Sequence, residues 1–367
     1  MTPDSTSPSS AKEAPRVPRV VLIVLNWNGL ADTLECLVSV RGLTYPNWDA
    51  IVVDNGSDDR QEARTIRAAF PSVTVLENDR NMGYAGGCNV GIRQALRQGA
   101  DYVWLLNNDT EVAPDCLTQL VEAAESLAEV GLLSPVIYYY GARDDIQCSG
   151  SIIDRHREDQ STLTSLGATC SIGEAATLTL WGTAILLKRS VVESIGLLDE
   201  RYFAYHEDLD YCLRALRSGF RTLVVPGGKI YHKSARSLGS EWSPVKEYLL
   251  VRNWYLLWRT HLTGWRRLTY PRRYSAWVLL RVLNARRAGQ YDRADHALDG
   301  AWDAFRGQWG SWELKGKMPG ILRASLVNGL LGWHPYFWIM LVGGDLAGLS
   351  SGTIKRMLRL RGSSTRQ

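Results

Sequence analysis

A chain of 367 residues, 45% hydrophobic and 22% charged, has the make-up of a folded globular protein with one large core or two modest ones. Its net charge of +4 is too small to argue for nucleic-acid binding. The six cysteines are scattered without a C-x-x-C pair, which argues against a disulfide framework or zinc site and for reduced cytosolic thiols. Residues 1–18, rich in Ser, Pro, Thr and Ala, carry no apolar stretch of the kind a secretory signal needs. They read as a disordered leader, and the folded part is expected in the cytoplasm.

Residues 20–25 are a β-branched and aliphatic run that stops at Asn26-Trp27-Asn28-Gly29, the pattern of a strand buried on both faces. Residues 30–40 then have helical spacing. Further buried strands are expected at 50–53, 73–76, 102–106 and 131–137, with helices at 62–69, 85–97 and 114–128. Such alternation predicts a parallel sheet with helices on both faces, and polar residues gather just after the strands, at the edge where ligands bind. Beyond 137 the alternation fails. Residues 147–154 and 177–188 read as strands of a mixed or antiparallel extension, joined by a long polar loop at 155–175. A helix is expected over 203–219, capped by Gly219, followed by short strands at 221–226 and 229–232.

From Tyr248 to Tyr291 no Asp or Glu occurs, while nine arginines sit among Tyr and Trp. That composition suits a helical segment on an anionic membrane surface, or an appendage that packs its aromatics on the core and solvates a basic face. Residues 324–344 carry no charge and reach the ~20 residues a membrane span needs. Asn328, His334 and Pro335 interrupt them, and a basic tail with Lys355 and Arg356 follows, so an interfacial or re-entrant segment is preferred.

Five places bear chemistry. Asp54-Asn55-Gly56-Ser57-Asp58 follows a strand and fits either a tight turn or a carboxylate reaching a nucleotide base or ribose. Residues 78–89, containing Arg80, Asn81, Gly83 and Asn89, run a Gly- and Asn-rich loop into a helix, where backbone N–H groups favour phosphate. Asn107-Asn108-Asp109 leaves a strand, and Asp109 suits Mg²⁺ or Mn²⁺ completed by substrate phosphates, or a helix cap. His206-Glu207-Asp208 opens an amphipathic helix, where a carboxylate either complements the dipole or serves as general base. His232, after an apolar strand, is a partner ligand for Asp109 or a structural histidine.

Taken in order, N-W-N-G, V-D-N-G-S-D-D, N-x-G-Y-A-G-G-x-N-x-G, L-L-N-N-D-T, G-T-A-I-L-L-K-R, G-L-L-D-E-R-Y-F-A-Y-H-E-D-L-D-Y-C-L-R and Y-H-K-S resemble family 2 glycosyltransferases, most of all the rhamnosyltransferase-like branch. The resemblance implies a GT-A fold, an α/β architecture with a mixed sheet flanked by helices, here with a helical C-terminal extension. It implies inverting, metal-assisted transfer, with Mg²⁺ or Mn²⁺, from a nucleotide-diphosphate sugar to a glycan or lipid-linked glycan. Rhamnose is the favoured sugar, with galactofuranose or another UDP-linked hexose as the alternative. By position, Asp208 would be the base, with Glu207 beside it. Asn26, Asp54, Ser57, Arg80, Asn81, Gly83, Asn89, Asn107 and Asn108 would surround the nucleotide-sugar. Asp109 and His232 would hold the metal, and Trp181 and Gly182 would meet the acceptor. Asn107 replaces the usual first Asp of the D-x-D motif, which leaves the site less negative.

The organisation expected is a leader at 1–18, a GT-A catalytic domain at 19–240, a basic aromatic helical extension at 241–310 and a membrane-associating segment at 311–367. The expected location is the cytoplasmic face of the cell membrane, as a peripheral protein. Two other readings compete. A sugar nucleotidyltransferase would need a Gly-rich basic loop after the first strand, which Asn26-Trp27-Asn28-Gly29 does not supply. A non-catalytic membrane-surface scaffold would not need Asp109, Glu207, Asp208 and His232.

Overall fold

A computed structural model describes residues 16–166, 176–233, 243–312 and 318–323. The hydrophobic stretch at 324–344 and the basic tail lie outside these residues. Four β-strands open the chain in the expected α/β alternation: β1 (Val20–Asn26), β2 (Trp48–Asp54), β3 (Thr74–Glu77) and β4 (Tyr102–Asn107). Helices α1 (Leu30–Val40), α2 (Glu62–Ala69) and α3 (Gly83–Arg97) connect them. The strands are parallel in the order β3-β2-β1-β4. Val20, Leu22 and Val24 enter one core with α1, while Val21 and Ile23 enter a second core with α3. Burial on both faces explains why these strands are continuous apolar runs rather than alternating ones.

The sheet then departs from the simple parallel expectation. After β5 (Thr110–Val112), α4 (Cys116–Ser126) and β6 (Val130–Tyr139), the chain does not lay β6 beside β4. Between them sits β11 (Ala184–Lys188), antiparallel to both. The region expected as two strands splits into four segments. β7 (Ala142–Cys148) pairs with β6, whereas β8 (Ser151–Asp154), β9 (Asp159–Thr162) and β10 (Ala176–Thr179) form a separate small sheet. Gly150, at φ +94°, turns the chain from one sheet to the other. Leu180–Thr183 carry it back, which is what puts Trp181 and Gly182 at the end of β4.

α5 (Arg189–Ile195) and α6 (Glu207–Arg217) follow, then β12 (Arg221–His232). The expected helix at 203–219 therefore begins four residues late. Phe203, Tyr205 and His206 stand at φ +65°, +69° and +72°, in the left-handed region that no α-helix uses. The two short strands expected at 221–232 are one strand with an irregularity between Val225 and Lys229, at the glycine pair. β12 runs parallel to β6 and antiparallel to β5, pairing His232 with Thr110.

Three long helices close the fold: α7 (Pro244–His261), α8 (Gly264–Arg287) and α9 (Tyr291–Arg306). Ser243 caps α7 by accepting from the Lys246 N–H at 3.1 Å, with Pro244 at the first helical position. Gly300 of α9 lies so close to α7 that a Cβ would meet the Tyr248 carbonyl at 2.4 Å. Tyr202, Leu209 and Leu213 share one core with Val251, Leu257 and Trp258 of this helical extension. The acid-poor arginines draw partners from elsewhere: Arg266 and Arg273 meet Glu158, Arg281 meets Glu247, and Arg252 is fully buried. Among the described residues, no helix is long and apolar enough to cross a membrane.

Candidate active site

Parallel pairing brings three polar strand ends to one edge: Asn26 lies opposite Asp54, and Leu25 opposite Asn107. Asn26 is fully buried and saturated. Its amide donates to Asp54 Oδ1 at 3.0 Å and to Glu62 at 2.7 Å, and its carbonyl accepts from Thr33 at 2.7 Å. Ser57 donates to the same Asp54 oxygen at 2.5 Å. Asp54 Oδ2 is buried with no partner among the described residues. Glu62 and Thr33 were not legible as members, because both sit inside amphipathic helical patterns that explain them without a site.

Asn55 ties the next wall together. Its amide donates to Asn81 Oδ1 at 3.1 Å and to the Gly83 carbonyl at 3.0 Å, while its own Oδ1 accepts from Asn78 and Met82 N–H. Gly83 starts α3 at φ +73°, where a Cβ would stand 2.4 Å from the Phe203 carbonyl. A cleft opens here between Asn81, Gly83, Asn107, Asn108, Phe203 and Trp312. Asn108 is pinned by Thr33 at 3.0 Å and leans over Gly29. Two expected members stand apart. Asn89 commits its whole amide to Leu198 and Glu200, so its observed role is to hold that loop. Arg80 is exposed, and its backbone packs on Gly56.

β5–β12 pairing places His232 beside Asp109, with Nε2 3.3 Å from Oδ1 and both side chains nearly buried. His232 Nδ1 lies 2.8 Å from Gln147 Oε1, which accepts from it. Nε2 is then the nitrogen that faces the Asp109 carboxylate. Imidazole nitrogen and carboxylate oxygen suit a divalent first-row ion. Two such ligands would leave most positions for phosphate oxygens and water, the pattern of Mg²⁺-type sites. Among the described residues, no group of three or more His, Cys, Asp or Glu side chains forms an all-protein metal cage.

Asp208 lies at the N-terminus of α6. Its Oδ2 accepts from the Gly182 N–H and its Oδ1 from the Leu209 N–H, both at 2.8 Å. Burial pushes its carboxyl above the usual range, while those amides pull it back. Glu207 is pushed well above the usual range by burial and by the Asp208 charge, and its Oε2 has no partner among the described residues. His206 is held neutral, its pKa lowered to about 3 by burial and then by the Arg281 charge. Trp181 donates to Ser151 at 3.0 Å. The Tyr84 hydroxyl donates to the Gly182 carbonyl. The next residue, Thr183, accepts from the Asn107 N–H at 2.9 Å. Asp208 is thus joined through Gly182–Thr183 to the strand end that carries Asn107, Asn108 and Asp109.

Residues 21–194 match the family model described as glycosyl transferase family 2. Over these residues, a little under half of the chain, the sequence carries the pattern of glycosyltransferase family 2. The transferase is 26% identical over 233 residues to an N-acetylglucosaminyl-diphospho-decaprenol L-rhamnosyltransferase of Mycobacterium tuberculosis, covering 56% of this chain and 73% of that one. It is 25% identical over 252 residues to dTDP-rhamnosyl transferase RfbF of Shigella flexneri, covering 65% and 80%. With galactofuranosyltransferase GlfT1 of Mycobacterium tuberculosis it shares 33% over 197 residues, covering 52% and 61%. Its fold is similar to that of mannosyltransferase PcManGT from Pyrobaculum calidifontis, solved with GDP-Man and Mn²⁺. The TM-score is 0.51 at 18% identity, over 94% of this chain and 88% of the other. The GT-A-like mixed sheet flanked by helices is therefore the fold of this transferase.

Proposed function

We propose that the transferase moves L-rhamnose from dTDP-rhamnose to a hydroxyl of a lipid-linked glycan, with inversion at the anomeric carbon. The observation that carries this reading is the Asp208 carboxylate, fixed by two backbone amides and linked through Gly182–Thr183 to the strand end bearing Asp109. Each Asp208 oxygen keeps a lone pair for an incoming hydroxyl. As the acceptor oxygen bonds the anomeric carbon, Asp208 takes its proton and the bond to the nucleoside diphosphate breaks on the opposite face. The positive end of α6 favours the ionised base. Asp54, with its unpartnered Oδ2, receives the base or ribose, and Asn81, Gly83, Asn107 and Asn108 line the donor cleft. Asp109 and His232 hold the divalent ion, which when bound offsets charge growing on the departing diphosphate. Trp181 and Gly182 face the acceptor.

The names of two relatives support rhamnose and the decaprenyl-diphosphate acceptor. The 33% identity to a galactofuranosyltransferase supports UDP-galactofuranose as the second reading. Release of dTDP or UDP from the two donors, with N-acetylglucosaminyl-diphospho-decaprenol and with or without EDTA, separates them. Turnover of dTDP-rhamnose that EDTA abolishes is expected, and turnover of neither donor would defeat the proposal. Asp208→Asn is expected to lower turnover by about 10²–10⁴-fold, the usual contribution of a general base, with donor affinity kept. Asp109→Ala is expected to weaken both, by calorimetry with donor and Mn²⁺. We place residues 19–240 as the catalytic unit, 241–310 as its helical extension and 311–367 as the membrane-associating segment. The working location in this reading is the cytoplasmic membrane face.

A further inference from the structure

Three residues of the 201–206 segment demand an outside support. Phe203, Tyr205 and His206 are non-glycine residues at positive φ, and Glu207–Asp208 follow at once. The left-handed conformation is unfavourable for each residue with a Cβ, and such strain persists only where surrounding structure over-determines it. The support comes from α7, some fifty residues on. Asn253 is fully buried, and its Nδ2 lies 2.8 Å from the carbonyls of Tyr202, Ala204 and Tyr205 alike. Its Oδ1 accepts from Arg252 Nε at 3.0 Å, which fixes which way the amide faces. Arg252, also fully buried, adds a bond to the Tyr202 carbonyl at 3.1 Å. On the other side, the Phe203 carbonyl accepts from Ala85 N–H at 3.2 Å, at the start of α3. The turn is thus pressed between the wall of the donor cleft and α7, and it sets where α6 begins.

We infer that Asn253, oriented by Arg252, is a positioning residue for Asp208: it holds the left-handed turn whose geometry aims the Asp208 carboxylate at the Gly182 amide. The inference deepens the proposed function and rests on Asp208 being its base. It makes the helical extension part of the reaction machinery rather than an appendage.

Hydrogen–deuterium exchange on the full chain tests the geometry without any substrate. In Asn253→Asp, which removes the donors and turns a carboxylate on three carbonyls, peptides containing Gly182 and Leu209 are expected to exchange faster. Peptides from β1 are expected to stay protected. Turnover of dTDP-rhamnose is expected to fall about 10- to 100-fold, the scale of a misplacement near 1 Å, with donor KM within about twofold. Tyr205→Gly, which removes a Cβ from one left-handed position, is expected to recover part of that loss. Unchanged exchange at Gly182 and Leu209, a KM rise matching the kcat fall, or no recovery in the double variant would each overturn the inference. If β1 peptides also lose protection, Asn253→Ser, which is smaller and uncharged, replaces the Asp variant in the same comparison. Faster exchange in Asn253→Asp together with full turnover in Asp208→Asn would sink the base assignment and leave the support of the turn standing.

Discussion

Asp208 and Asp210, two residues apart on α6, are driven in opposite directions. Burial raises both. For Asp208 burial wins, whereas for Asp210 the His261 hydrogen bond at 2.8 Å and Arg214 at 2.7 Å outweigh it and the net shift is down. Glu207 and Asp208 therefore bind protons in the folded state that the unfolded chain has released. Their contribution to stability falls as pH rises from the unfolded carboxylate range through the raised folded values. Asp210 does the reverse: its stabilisation is present above the unfolded value and is lost as pH falls through the depressed one. Glu207→Gln is accordingly expected to raise the melting temperature at pH 7.5 and to leave it unchanged near pH 3. A lower melting temperature at pH 7.5 would contradict the burial argument. Activity has its own sign, because an ionised Asp208 is needed: kcat is expected to drop as pH falls through the raised value, and the drop to vanish in Asp208→Asn.

Glycines of one site behave differently for physical reasons. Gly83 combines φ +73° with a backbone neighbour 2.4 Å from any Cβ, whereas a Cβ on Gly182 would meet only ordinary contacts at 3.5 Å and beyond. Gly83→Ala is expected to cost at least about 2 kcal/mol in urea unfolding, from the left-handed penalty plus the clash, and to impair the donor cleft. Gly182→Ala is expected to fold normally and to act, if at all, on acceptor KM. Equal stability of the two variants would refute this ranking.

At the scale of elements, α6 is pinned at its N-terminal end by residues remote in sequence. Its start hangs on α7 through Asn253, and its first turn through Asp210 and His261, both 1% exposed. His261→Ala removes one of the two charged-group partners of the buried Asp210 and leaves Arg214, so a loss in unfolding free energy below the about 3–5 kcal/mol of a fully stranded charge is expected. The apolar periodicity that announced a helix over 203–219 was real from Leu209 onward. It misjudged the start because Phe203 and Tyr205 are apolar in a left-handed turn for the same reason they are apolar in a helix: they face a core. The 177–188 run likewise reads as one strand, yet it leaves one sheet and enters another at Trp181-Gly182, a change of partner that periodicity does not encode.

At the scale of the whole molecule, the helical extension shares its core with α6, while its outer surface near the start of α8 exposes Trp265 at 76% and Leu268 at 70% beside Arg267. In the proposed reading this corner meets the anionic bilayer that carries the acceptor. Flotation with phosphatidylglycerol vesicles is expected to carry the full chain, and Trp265→Ser with Leu268→Ser to reduce the bound fraction severalfold. Undiminished flotation of the double variant would move the contact elsewhere.

The sequence by itself determined the parallel half of the sheet, because strands buried on both faces must be continuous apolar runs, and it determined that Asp54, Asn107–Asp109, Glu207–Asp208 and His232 follow or open elements at places free for chemistry. Tertiary structure alone decided which of these meet. The β5–β12 pairing brings His232 to Asp109 across more than a hundred residues, β11 inserts between β4 and β6 to carry Gly182 to Asp208, and α7 reaches back to the turn ahead of α6. Each is a contact between distant segments, set by strand pairing and shared burial, and local periodicity carries no information about partners.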